Sequence, residues 1–122
     1  MNNTKTYDFE DGAGEVPAHQ HSNGGGWVAD SASVAASAFV GPDAKVYGNA
    51  WVYGNAWVYG NAWVFGTARV FGTARVFGNA LVLGTAEVYG NARVFGTALV
   101  FGNAKVYGDA KVYGNAHVCT GE

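Results

Sequence analysis

Apolar and small residues fall on a strict six-residue beat along most of the chain. Val stands at every sixth position from Val28 to Val118, sixteen times without a miss. Ala stands two residues before each Val from Ala32 to Ala116, and Gly two residues after it from Gly48 to Gly114. Asn, Thr or Asp follows each of those glycines, so one unit reads Ala-x-Val-aromatic-Gly-Asn, with Leu83 in one aromatic slot. If Ala-x-Val-aromatic is a strand, its side chains alternate between two faces. Ala and Val then share one face, and x shares the other with the aromatic. The x position holds Trp51 but also Arg69, Arg75, Glu87, Arg93, Lys105 and Lys111. Unpaired charges do not line a narrow interior, so Ala and Val are predicted to point inward. Gly-Asn is then the corner, because Gly accepts any backbone conformation and Asn or Asp tolerates positive φ. Thr67, Thr73, Thr85 and Thr97 occupy the Asn slot and tolerate it poorly. There the preceding Gly is the candidate for the positive angle.

Six residues are too few for a strand plus a helical crossover, but they suit a solenoid with short flat sides. An antiparallel meander with Gly-Asn hairpin turns is the rival. It would leave the Ala/Val face of twelve short strands without a second layer to cover it, so the solenoid is preferred. The units, "VYGNA" among them, resemble the hexapeptide-repeat family, in which an aliphatic residue is followed four positions later by a small one. The resemblance covers about residues 27–120. It implies an all-β fold: a single-stranded, left-handed parallel β-helix of triangular section, with three hexapeptides per coil. The handedness rests on the resemblance alone, because general chain sterics favour right-handed crossovers. The repeat length gives about five coils, roughly 25 Å at ~4.8 Å per coil. Residues 27–122 are assigned to this β-helix. Residues 1–26 break the beat and are predicted to form an irregular N-terminal cap or arm that covers the open edge, anchored by Tyr7, Phe9 and Val16. This leader ahead of "VYGNA" units resembles small bacterial and phage hexapeptide-repeat proteins.

With three units per coil, positions three units apart stack in columns, and the three sides come to differ. At the x position, side one reads Trp27, Lys45, Trp63, Leu81, Leu99, His117. Side two reads Ser33, Trp51, Arg69, Glu87, Lys105, and side three Phe39, Trp57, Arg75, Arg93, Lys111. Side one carries an apolar strip of Trp63, Phe65, Leu81, Leu83, Leu99 and Phe101, larger than a soluble monomer usually exposes. It is the expected self-association surface, and the family resemblance implies a homotrimer. The alternative is that the aromatics stack along their columns and hide one another. Arg69 should lie one coil above Trp51, and Arg75 one coil above Trp57, each within reach of a cation–π contact. Trp51, Trp57, Arg69, Arg75 and Arg93 are therefore the candidate ligand-binding residues. In this reading a ring stacks on the aromatic and a phosphate meets the guanidinium, in clefts between subunits. The competing reading is that Arg shields Trp and does nothing more.

Composition and charge sharpen this picture. The length of 122 residues suggests one domain. Residues 1–26 carry Lys5 against Asp8, Glu10, Asp11 and Glu15, whereas residues 44–118 carry six Lys or Arg against Glu87 and Asp109. A mildly basic repeat body suits a small anionic ligand and is too weak for duplex nucleic acid, which needs many phosphate contacts. No apolar run is long enough to cross a bilayer as a helix, so no membrane span is expected. The start lacks a basic and apolar signal pattern, and the single Cys119 cannot form an internal disulfide. Both point to a cytoplasmic setting.

The family resemblance also implies acyl transfer, which in that family uses a His base and a loop protruding from the coils. The sixfold beat here is unbroken, which leaves no room for such a loop. His117, at the last x position, reads better as a solvated or interface side chain. Another branch of the family binds zinc through several ligands. The leader offers only His19 and His21 close together, so no metal and no cofactor is expected. Gly24-Gly25-Gly26 leads into a strand rather than a helix, unlike a phosphate-binding loop. The expected function is a non-catalytic trimeric binding solenoid holding a small anionic, nucleotide-like ligand. The alternatives are a structural or interaction scaffold and an acyltransferase-like enzyme.

Overall fold

The computed structural model describes residues 5–9 and 14–119. Two leader strands come first, β1 (Lys5–Asp8) and β2 (Glu15–Gln20), followed by β3 (Trp27–Ala29). From there a two-residue strand recurs on the six-residue beat, from β4 (Ser33–Val34) through β5 (Phe39–Val40) and β6 (Lys45–Val46) to β18 (His117–Val118). The strands are shorter than the alternation suggested. Only x and Val lie in the extended ladder, because the glycine two residues on swings the chain round the corner. Each corner glycine from Gly48 to Gly114 has φ between 62° and 72°, including those that precede Thr67, Thr73, Thr85 and Thr97.

Every third strand pairs in parallel, so that partners stand three units apart: Arg69 faces Trp51, and Arg75 faces Trp57. Three sheets result, one per side of a β-solenoid of about five turns. Sheet one runs β1-β2-β3-β6-β9 (Trp63–Val64)-β12 (Leu81–Val82)-β15 (Leu99–Val100)-β18. The other two sheets hold five strands each. Coils are joined by donors reaching a carbonyl of the next coil. Trp51 N–H donates to Ala68, Tyr53 N–H to Val70 and Asn55 N–H to Gly72, at 2.9–3.0 Å. No insertion interrupts this cadence between residues 27 and 119.

The interior follows the pattern. Ala38 to Ala104 and Val40 to Val100, on their six-residue beat, have no exposed surface. Small Ala and β-branched Val fill a tube too narrow for larger side chains, and no buried side-chain polar atom among the described residues lacks a partner. The corners have their own chemistry. Thr67, Thr73, Thr85 and Thr97 each donate a hydroxyl to the glycine carbonyl of the next coil, at 2.8–3.0 Å. Asn61 Nδ2 donates to Asn79 Oδ1 one coil on, at 3.3 Å. A corner hydroxyl or amide thus ties one coil to the next where the sheet ladder breaks.

In the leader, β1 and β2 pair antiparallel, and β2 pairs antiparallel with β3. The leader therefore extends sheet one by two strands at its N-terminal edge. Its rings enter the column system of side one. The first units lack the aromatic, and Ala29 stands where later coils place Tyr47 and Phe65. Phe9, 1% exposed, stacks on Tyr47 at 4.7 Å, and Tyr7 stacks on Trp27 at 4.6 Å. Val16 packs partly buried beside them. A leader aromatic thus takes the rung that Ala29 leaves empty. His21 is buried and its Nε2–H donates to the Ala38 carbonyl at 2.8 Å, next to Asn23, whose amide donates to the same oxygen.

Candidate functional site

Outward-facing side chains form two parallel files on each side of the solenoid, one from the x positions and one from the aromatics. The aromatic file is held by ring stacking. Tyr53–Phe71–Tyr89 and Tyr59–Phe77–Phe95 stack at 4.8–4.9 Å with planes within 5° of parallel. The spacing is set by the coil repeat, so the rings cover each other's faces and show mainly their edges. The same covering acts on side one. Trp63, Phe65, Leu81, Leu83, Leu99 and Phe101 are half-buried within a single chain, because each is flanked by the rungs above and below.

The large apolar side chains most open to solvent are elsewhere: Trp51 (48% exposed), Trp57 (43%), Tyr107 and Tyr113. The register places a guanidinium over each of the two indoles. Arg69 Cζ lies 5.4 Å from the Trp51 ring centroid, and Arg75 Cζ lies 5.4 Å from that of Trp57. On its other side Trp57 meets Phe39 at 5.0 Å, whereas Trp51 has Ser33 in the rung below. His19 Nδ1 and Asp30 Oδ1 form an exposed hydrogen bond at 2.7 Å. Arg69, Arg75 and Arg93 face water instead, with no carboxylate among the described residues in ion-pair range. Arg93 stands in register with Arg75, one coil above it.

On side one Lys45 lies 5.3 Å from the Trp63 ring and 5.8 Å from Tyr7. An open groove of about 540 Å³ runs there between the corner column Asp43–Asn61–Asn79 and the column Lys45–Trp63–Leu81. The remaining candidates are dispersed. His117 is exposed on β18, edge-on to Phe101, and Cys119 is an exposed free thiol. His19 and His21 do not converge, since one faces Asp30 and the other is buried against Ala38. Among the described residues no three His, Cys, Asp or Glu side chains gather in a metal-holding group. No described helix is long and apolar enough to cross a membrane.

Two features were not anticipated from the sequence. One is Lys45 held between rings of the leader and of the next coil. The other is Tyr47, which the leader buries to 4% exposure. The missing aromatic at Ala29, with spare rings at Tyr7 and Phe9, was the available signal for both.

Comparison with known proteins gives one family match. The YdcK beta-solenoid repeat matches residues 44–60 and 50–66. Neither a curated protein nor a solved structure shows a significant match to the chain. The matched stretch spans β6 to β9 and contains all three "VYGNAW" units. The chain is a repeat-built β-solenoid, and its units over residues 44–66 are similar to the YdcK beta-solenoid repeat.

Proposed function

We propose that the chain is a non-catalytic binding solenoid that holds a small anionic, nucleotide-like ligand against its Arg–Trp pairs, as a homotrimer assembled through side one. The observation that carries this reading is the pairing of Arg69 with Trp51 and Arg75 with Trp57. Each pair joins an unneutralised guanidinium to an exposed indole at 5.4 Å. A guanidinium takes a phosphate through charge-assisted, bidentate hydrogen bonds, and an indole edge or face takes a planar ring. Arg93, one rung above Arg75, adds a second cation to the same phosphate position. Self-association is supported by side one, where Trp63, Leu81 and Leu99 stand at rungs that carry charges on the other two sides, and the three-fold state is what the hexapeptide-repeat resemblance implies. Clefts beside such an interface are natural ligand sites.

Titration with mononucleotides and cyclic nucleotides, followed by tryptophan fluorescence, tests the binding reading. A saturable change in the wild type, weakened in Arg75→Ala and Arg69→Ala, is the expected result. Silence with every nucleotide would leave the Arg–Trp pairs as surface shielding and the chain as a scaffold. Light scattering tests the assembly. A trimer at micromolar concentration that Leu81→Glu and Leu99→Glu convert to monomer supports it, and a wild-type monomer at that concentration sinks it. A thioester-cleavage assay with acyl-coenzyme A separates this reading from acyl transfer, since turnover would contradict a purely binding role.

A further inference from the structure

From Trp51 and Trp57 onward, sides two and three run alike and then part at one rung. Side three stacks Trp57, Arg75, Arg93 and Lys111 in register, one residue per coil. Side two stacks Trp51, Arg69, Glu87 and Lys105 in the same way. Opposite charges on facing positions of a sheet attract, and like charges repel. Side two therefore alternates in sign along its file, while side three lines up three exposed cations. By sequence the nearest carboxylate to Lys111 is Asp109, at the corner that leads into it, and the nearest to Arg75 and Arg93 is Glu87 on side two; Asp109 Oδ1 accepts a hydrogen bond from Asn91 Nδ2 at 3.4 Å. Nothing among the described residues balances Arg75 and Arg93.

Adjacent rungs are about 4.8 Å apart, so the three cations span about two rungs, more than one phosphate group can touch. Beside them, two residues along the chain, runs the ring file of Phe77, Phe95 and Tyr113, stacked at 4.9 and 5.4 Å. Both files point outward from the same sheet. A file of cations tracks a sugar–phosphate backbone, and the file of ring edges beside it can meet the faces of unpaired bases edge-to-face. A duplex hides its bases from such a surface, and one column of three cations supplies little of the charge a duplex needs.

We infer that side three binds a short single-stranded oligonucleotide laid along the solenoid axis. Consecutive phosphates meet Arg75, Arg93 and Lys111, and the bases lie over the ring edges of Phe77, Phe95 and Tyr113. The inference rests on the nucleotide-binding reading above and goes beyond it in requiring a chain of phosphates. Side two, with Glu87 in the middle of its file, does not bind the strand.

The test is fluorescence anisotropy of end-labelled oligothymidylates from two to eight nucleotides, at several salt concentrations, with full-length protein. Affinity is expected to rise with length until three phosphates are engaged and then to level off. The logarithm of the affinity should fall with the logarithm of salt with a slope of about −2, given ~0.7 per phosphate for single strands. Arg93→Glu should lower affinity about tenfold or more and flatten the length dependence. Glu87→Arg should create a second file on side two and raise the stoichiometry from one strand per chain to two. Both substitutions are at half-exposed or exposed positions, and an unchanged circular dichroism spectrum confirms that the fold is kept. Affinity independent of length, an inert Arg93→Glu, or an unchanged stoichiometry in Glu87→Arg overturns the inference. So does inorganic polyphosphate binding as tightly as an oligonucleotide of equal charge, since the rings would then contribute nothing. Mononucleotides binding as tightly as the longer strands would leave the small-ligand reading standing and remove this one. Oligonucleotides binding where mononucleotides do not would do the reverse.

Discussion

Gly72→Ala separates two demands that the corner glycines meet at once. Gly72 has φ +71°, and a Cβ built there would lie 3.0 Å from the backbone nitrogen of Gly90 and 3.2 Å from its oxygen. Holding an L-residue in the left-handed region costs roughly 1–2 kcal/mol. Forcing a methyl group against rigid backbone one coil away adds roughly 1–3 kcal/mol, as overpacking does elsewhere. Gly108 has φ +64°, and nothing lies within 4 Å of a Cβ placed on it. Gly108→Ala therefore carries the conformational cost alone, about 1–2 kcal/mol. Urea unfolding followed by far-ultraviolet circular dichroism measures both. With a slope of about 1–3 kcal/mol per molar urea, Gly72→Ala should shift the midpoint by roughly 1 M or more, and clearly further than Gly108→Ala. A third variant, Gly72→Asn, lowers the conformational cost, because Asn tolerates positive φ, but keeps the Cβ. It should recover only part of the loss. If Gly72→Ala is no worse than Gly108→Ala, or if Gly72→Asn restores full stability, the close approach of successive coils does not limit these positions.

Val76→Ala removes two buried carbons from a site with no exposed surface and should cost about 2–3 kcal/mol by thermal or urea melting. Val112→Ala, at a position 9% exposed, should cost about half as much. Thr85→Val keeps the shape of the corner but deletes the hydroxyl that donates to Gly102 at 2.8 Å; a loss of about 1 kcal/mol is expected. Phe9→Ala removes the leader ring stacked on Tyr47. Hydrogen exchange should then speed up in Glu15–Gln20 while the amides of the middle coils keep their protection.

Much of this architecture was legible because side-chain size and charge are periodic. Charges at Arg69, Arg75, Glu87 and Arg93 could face only outward, which settled the inward direction of Ala and Val. The three-unit register that the hexapeptide-repeat resemblance implied then set Arg69 over Trp51 and Arg75 over Trp57. The leader was harder. Its strands carry no repeat, and their pairing with β3 depends on a long-range match between Phe9 and the gap left at Ala29. The degree of cover on side one was also hidden. Leu81 and Leu99 read as exposed in one dimension, but their neighbours along the column, three units away in sequence, bury half of each. The carbonyl targets of the corner threonines likewise lie in the next coil, Gly84 for Thr67 and Gly102 for Thr85, and no local propensity marks them.

The repeat has a consequence for how such a chain tolerates insertions and deletions. Because Ala and Val recur on the six-residue beat on all three sides, the core cannot distinguish one unit from another. Gaining or losing three units adds or removes a whole coil and leaves every surface column in phase. Gaining or losing one leaves the core equally well filled but moves everything downstream by one side. A single unit inserted between Val58 and Arg75 would carry Arg75 and Arg93 off the column that holds Phe39 and Trp57 and on to another. The fold would record no error, while the surface chemistry would be dealt out afresh. Selection on this surface therefore acts on the count of units modulo three, a quantity to which folding is indifferent.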